Sequence, residues 1–137
     1  MKESQITCDT SVLVAALRQE LHGHDTSRAA LARATALPAH VLIESYRVLT
    51  SMKMPGALAP GLVSRVLCDL GLPTVQLPAE NYLDLVQLLA ERDLPGGAIY
   101  DAQIAATAKH HGLTLVSRDW RAAKTYELVG VDYELLD

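Results

Sequence analysis

Each apolar run short enough to be a strand is separated from the next by at least one stretch of helical periodicity, and this alternation constrains the fold more than any other feature of the chain. Antiparallel neighbours can be joined by hairpins of a few residues. Parallel neighbours need a crossover of a dozen residues or more, usually a helix. The strand-like runs are residues 5–8, 74–77, 113–117 and 131–136, with Leu113-Thr114-Leu115-Val116-Ser117 the clearest. Helices are expected over residues 12–17, 28–36, 38–54, 60–70, 82–91, 98–111 and 119–129. Val41, Leu42, Val48, Leu49 and Met52 recur at helical spacing before Pro55-Gly56, and Gly112 stands where a helix C-terminus favours glycine. The turn from His22 to Ser27 offers N-cap residues to the helix expected from Arg28. The predicted fold is α/β, in three layers: a central, mostly parallel sheet flanked by helices. At 137 residues it is expected to be a single domain over 1–137.

Half of the residues are apolar and a fifth are charged, which is globular composition. With no Phe and one Trp, the core must be aliphatic. A net charge of −4 argues against a large non-specific nucleic-acid binder but leaves room for a few local phosphate contacts. The cysteines, Cys8 and Cys68, show no Cys-x-x-Cys or paired Cys/His spacing, so neither a disulfide framework nor a zinc site is suggested. The first residues, Met1-Lys2-Glu3-Ser4-Gln5, lack the apolar core of a signal peptide, and no run approaches the ~18 apolar residues of a membrane span. A reducing cytoplasm and no membrane association are expected.

Four carboxylates carry the chemistry. Asp9 ends the first strand-like run and Asp119 lies just past the run 113–117. Ligands of open parallel sheets bind outside the carboxyl ends of the strands. Both residues also precede helices and suit an N-cap, although Thr10 and Ser11 could cap in place of Asp9. Glu44 lies beside Val41 and Val48 at the margin of an apolar helix face; the alternative there is an ion pair with Arg47. Asp101 shares a face with Ile104, Ala105 and Ala108, and could equally be a first-turn Asp favoured by the helix dipole. A crevice at the sheet edge satisfies all four placements. Carboxylates gathered there repel one another, and a bound divalent cation relieves the conflict. All-oxygen ligands suit Mg²⁺ or Mn²⁺, with phosphodiester hydrolysis by one or two ions as the chemistry that follows. Ser117 and Ser11 are assigned supporting roles, Ser117 as a hydrogen-bonding partner of a carboxylate or a metal-bound water. Arg118, Arg121 and Lys124 are candidate contacts for RNA phosphates.

These residues resemble the PIN domains, and in particular the VapC toxins of VapBC toxin–antitoxin pairs. The resemblance rests on Cys8-Asp9-Thr10-Ser11-Val12-Leu13-Val14, on Glu44-Ser45-Tyr46-Arg47-Val48-Leu49, on the run from Gly96-Gly97 through Asp101 to Ala108, and on Leu113-Thr114-Leu115-Val116-Ser117-Arg118-Asp119. It implies a Mg²⁺-dependent endoribonuclease whose acidic site is Asp9, Glu44, Asp101 and Asp119, with Asp9 and Asp101 the firmest metal ligands. It also implies a homodimer and a small VapB-like antitoxin that inserts a basic side chain into that site. Thr is common where this chain has Ser117, a mild departure. The principal rival is a PIN-like binding module with too little metal affinity for turnover. An aspartyl-phosphate enzyme is disfavoured because Ser11 stands where a second Asp belongs, and zinc hydrolysis through His22 and His24, or His110 and His111, lacks a His-Glu-x-x-His arrangement.

Overall fold

In the computed structural model, which describes residues 4–137, Ile6, Thr7 and Cys8 form β1 (Ile6–Cys8) and all three are buried, as a strand covered on both faces requires. The expectation about the first residues falls partly on residues 1–3, outside the described ones. β1 leads through Asp9 into α1 (Thr10–Leu17), and α2 (His24–Arg33) follows. Next come β2 (Leu37–Pro38), α3 (Ala39–Ser51), α4 (Pro60–Cys68) and β3 (Thr74–Val75). A 3-10 turn then enters α5 (Tyr82–Glu91), and α6 (Ala98–His110), β4 (Thr114–Ser117), α7 (Ala123–Val129) and β5 (Tyr133–Leu135) complete the order.

Every strand pairing is parallel. One ladder has the order β1-β4-β5, with Cys8 beside Val116 and Leu115 beside Tyr133; the other joins β2 to β3. A parallel bridge between Ile6 and Ala34 connects the two ladders. β4, the clearest strand by pattern, is central, and α1 and α6 both pack on it. α6 meets the sheet through Ala102, Ala105 and Ala108, all with no exposed surface, and these small side chains permit a close approach. The main core also takes in Val12, Leu13, Val41, Ile104, Leu115, Val116 and Tyr126, while Val14, Leu49 and Val63 form a smaller cluster where α1, α3 and α4 meet. Among the described residues no helix is long and apolar enough to cross a membrane.

Four local expectations are corrected. α2 begins at His24 rather than Arg28 and ends at Arg33, so Asp25, Thr26 and Ser27 lie inside it instead of capping it. Its N-cap is Gly23 at φ 78, where a Cβ would stand 2.4 Å from Arg118 Nε; close approach and positive φ together demand glycine. β2 was not foreseen, because two residues carry no periodicity. β3 stops at Val75, and the Gln76 carbonyl instead lies 2.9 Å from His111 Nε2. α7 starts at Ala123 rather than Asp119, since Asp119 Oδ1 accepts a bond from Arg121 N (3.0 Å) and holds the chain in a turn that competes with helix.

Candidate active site

Asp9 stands at the carboxyl end of β1, only 3% exposed, and caps α1 itself: its Oδ1 accepts from Val12 N (3.2 Å) and from Ser11 Oγ (2.6 Å). Capping and a place in the site are therefore not alternatives for this residue. Its Oδ2 accepts from the Tyr126 hydroxyl at 2.7 Å, across the core from α7. Burial raises the Asp9 carboxyl above the usual range, while bonds from Ser11, Ser117, Tyr126 and the Val12 amide pull it back. Burial and the Asp9 charge raise the Tyr126 phenol far above its ordinary value, so that it stays protonated and donates. The neighbouring Cys8 thiol is pushed up to about 12, by burial first and then by Asp9, which leaves it an inert core group.

Asp101 lies in the first turn of α6 and is the most telling group. Its carboxyl is pushed up to about 6, first by burial and then by the negative charges of Asp119, Asp9 and Glu44, with Arg121 acting in the opposite sense. Carboxylates drawn from β1, α3, α6 and the segment after β4 thus act on one another. Together they line one cleft of about 600 Å³, which Thr10, Ser11, Arg47 and Arg121 also line. Glu44 accepts from Thr10 Oγ1 and sits 3.6 Å from His40 Nε2; its ion pair with Arg47 is not formed among the described residues. Arg47 faces the cleft instead. Asp119, a third exposed, is paired with its neighbour Arg121 at 3.5 Å.

The remaining expected residues divide. Ser11 donates to Asp9 and accepts from Arg118 N (2.9 Å), tying the end of β4 to the start of α1. Ser117 is fully buried and does not line the cleft; it accepts from Asp119 N (2.9 Å), holding that backbone, and its hydroxyl also helps lower the Asp9 carboxyl, the carboxylate partnership expected of it. The Arg118 guanidinium packs on Gly23, its Nε buried without a hydrogen-bond partner, and it is not part of the cleft lining. Lys124 is exposed on α7 and also lies outside the lining, so of the three basic candidates only Arg121 faces the cleft. Three contributors went unread: Tyr126, Arg47 and the Thr10 hydroxyl. Tyr126 had one available signal, since a Tyr on the apolar side of a helix needs a partner for its hydroxyl.

Among the described residues no three of His, Cys, Asp and Glu converge closely enough to chelate one ion directly. Of the histidines, His24 Nδ1 lies 2.8 Å from the Ala15 carbonyl and His111 Nε2 lies 2.9 Å from the Gln76 carbonyl. A hard ion bound through one or two carboxylates and several waters fits the wider spacing. Asp101, with no side-chain hydrogen bond among the described residues and three negative neighbours, fits a cation best.

Residues 6–128 match the family described as PIN domain. Over 132 residues the chain is 42% identical to ribonuclease VapC40 of Mycobacterium tuberculosis, covering 96% of this chain and 98% of that protein. It is 36% identical to ribonuclease VapC27 of the same organism, covering 92% of this chain and 93% of the other. Among solved structures, M. tuberculosis VapC20, described as a Sarcin-Ricin loop cleaving toxin, superposes with a TM-score of 0.69 at 18% identity over 88% of this chain and 94% of that one. PAE2754 of Pyrobaculum aerophilum does so with 0.60 at 21% identity over 95% and 90%.

Proposed function

The chain belongs to the PIN-domain family, in its VapC branch, and on that premise we propose a single-domain, divalent-metal-dependent endoribonuclease acting as the toxin of a type II toxin–antitoxin pair. The observation that carries this reading is the single cleft lined by Asp9, Glu44, Asp101 and Asp119, in which the Asp101 carboxyl is raised first by burial and then by the other three charges. Asp9, Asp101, Glu44 and Asp119 would hold Mg²⁺ or Mn²⁺, directly or through water. When bound, the ion supplies an activated water and stabilises negative charge on the phosphodiester oxygens. The chain's own groups do the rest. Ser11 and Tyr126 fix the Asp9 carboxylate from two sides, so that its orientation is set before a ligand arrives. Thr10 orients Glu44, and Ser117 fixes the backbone of Asp119. Arg47 and Arg121, the arginines lining the cleft, are placed to receive phosphate oxygens that the carboxylates would otherwise repel.

The family also supports a cytoplasmic homodimer held inactive by a VapB-like antitoxin that presents a basic side chain to the acidic cleft. The test uses purified full-length chain on single-stranded RNA, with Mg²⁺ and with chelator. Cleavage is expected only with the metal, and Asp9→Asn or Asp101→Asn should each lower it at least about a hundredfold, as loss of a group that stabilises transition-state charge does. Cleavage that survives both substitutions overturns the assignment. Metal-independent RNA binding without cleavage would identify the binding module instead.

A further inference from the structure

The acidic cleft does not end at the carboxylates. A second hollow of about 460 Å³ continues it along α3 and the start of α6, sharing Glu44, Arg47 and Gly97 with the cleft and adding His40, Ile43 and Tyr100. Tyr100 is half exposed, and its ring is stacked on His40 with centroids 5.0 Å apart and planes 8° from parallel. His40 stands in the first turn of α3: its Nε2 is buried without a hydrogen-bond partner, 3.6 Å from Oε2 of Glu44 one turn on. The imidazole thus backs one face of the half-exposed phenol ring, and both rings line the hollow. Arg47 stands where cleft and hollow meet, free of any ion pair among the described residues, one turn from Glu44 on the same helix.

This arrangement answers a difficulty that the ribonuclease reading creates. Four carboxylates repel an RNA backbone, and a chain of net charge −4 has no general electrostatic attraction to offset them. Affinity must come from groups beside the acids that do not depend on net charge. Aromatic rings give single-stranded RNA such a foothold, because every base presents a π-face that stacks whatever its sequence. We infer that the Tyr100 hollow is a nucleobase subsite, in which Tyr100, braced by His40, stacks the base next to the scissile phosphate while Arg47 holds the phosphate between them. The inference rests on the ribonuclease reading and adds to it a site for one unstacked base at the Tyr100 hollow. A base still paired within a duplex has no face to offer the ring.

The test reads binding rather than cleavage. Full-length chain carrying Asp101→Asn, so that strands stay intact, is titrated in Mg²⁺ against a fluorescein-labelled single-stranded RNA octamer and against an abasic octamer of equal length and charge. Anisotropy should show the base-bearing strand bound about tenfold more tightly, the worth of one stacked base. Adding Tyr100→Ala or Tyr100→Leu should remove that preference, Tyr100→Phe should keep it, and Arg47→Ala should weaken both strands alike. Leucine retains apolar bulk, so a folding defect peculiar to alanine does not decide the outcome. An unchanged preference in both the Ala and Leu variants, or none in the Asp101→Asn parent, overturns the subsite. A change in sedimentation on Tyr100→Ala with the base preference intact also overturns it and marks this face as a protein contact. Failure of the ribonuclease reading shows separately, as RNA left uncut by the unsubstituted chain in Mg²⁺.

Discussion

Replacing Tyr126 with Phe removes one hydroxyl and leaves the ring that fills the core between α7 and the sheet. The lost bond is buried, 2.7 Å long and made to Asp9 Oδ2, and bonds to charged acceptors contribute roughly 1.5–3 kcal/mol. Ser11 Oγ and Val12 N still serve Oδ1, so the lower end applies and stability should fall by about 1.5 kcal/mol. For a chain of 137 residues that is a drop of about 5 °C in melting temperature. The same hydroxyl helps hold the Asp9 carboxyl down against its burial, so its loss raises that carboxyl further and leaves Oδ2 less firmly oriented. Removing a group that orients a metal ligand costs roughly 10- to 100-fold in metal affinity. The Mg²⁺ concentration giving half-maximal RNA cleavage should therefore rise about tenfold, with kcat at saturating Mg²⁺ within a few-fold of the parent. Melting in chelator and a Mg²⁺ titration of the cleavage rate measure the two effects independently. A fall in melting temperature with an unmoved Mg²⁺ midpoint would refute the positioning role and leave Tyr126 as a packing residue.

Metal-free chain should melt higher at pH 5 than at pH 7.5: Asp101 binds its proton near 6 when folded but near its ordinary value of 3.8 when unfolded, so stability falls as pH rises through that window. Solvent screening of this partly exposed group limits its share to about 1 kcal/mol; Asp9 acts in the same sense, and a stability that rises over the same range would contradict the shared cleft. Asp101→Asn should raise the metal-free melting temperature at pH 7.5 while abolishing cleavage, because it removes a repelled charge; a lowered melting temperature would count against that repulsion. Gly23→Ala should cost about 1–3 kcal/mol in a denaturant melt, since it combines a positive φ with a Cβ 2.4 Å from Arg118 Nε, and an unchanged midpoint would show that the α1–α2 turn relaxes freely. Leu49→Ala, in the small cluster of α1, α3 and α4, should lose about 2–5 kcal/mol while leaving the Mg²⁺ midpoint in place; a shifted midpoint would tie the acidic cleft to that packing.

The carboxylates were legible because each sits at a point that local pattern defines. Asp9 and Asp119 follow apolar strand runs, and Glu44 and Asp101 border apolar helix faces, so the side each residue points to could be read before its partners were known. Arg118 and Arg121 show the limit of that reading. They are three positions apart beside Asp119, yet one guanidinium packs on Gly23 while the other lines the cleft. Proximity in sequence to an acidic residue says nothing about which way a long side chain turns. Nor does the sequence show that the Arg118 side chain, from the segment after β4, packs against Gly23 at the start of α2.

From the chain alone came the alternation that makes the sheet parallel, since element type and crossover length are local properties. The placing of four acids at element ends came from the same source. Only the folded molecule decided that Tyr126 donates to Asp9, 117 residues away, that Arg47 turns from Glu44 to the cleft, and that His40 braces Tyr100. Such contacts join side chains on different elements, and their geometry depends on how helices settle against the sheet, for which no local period exists.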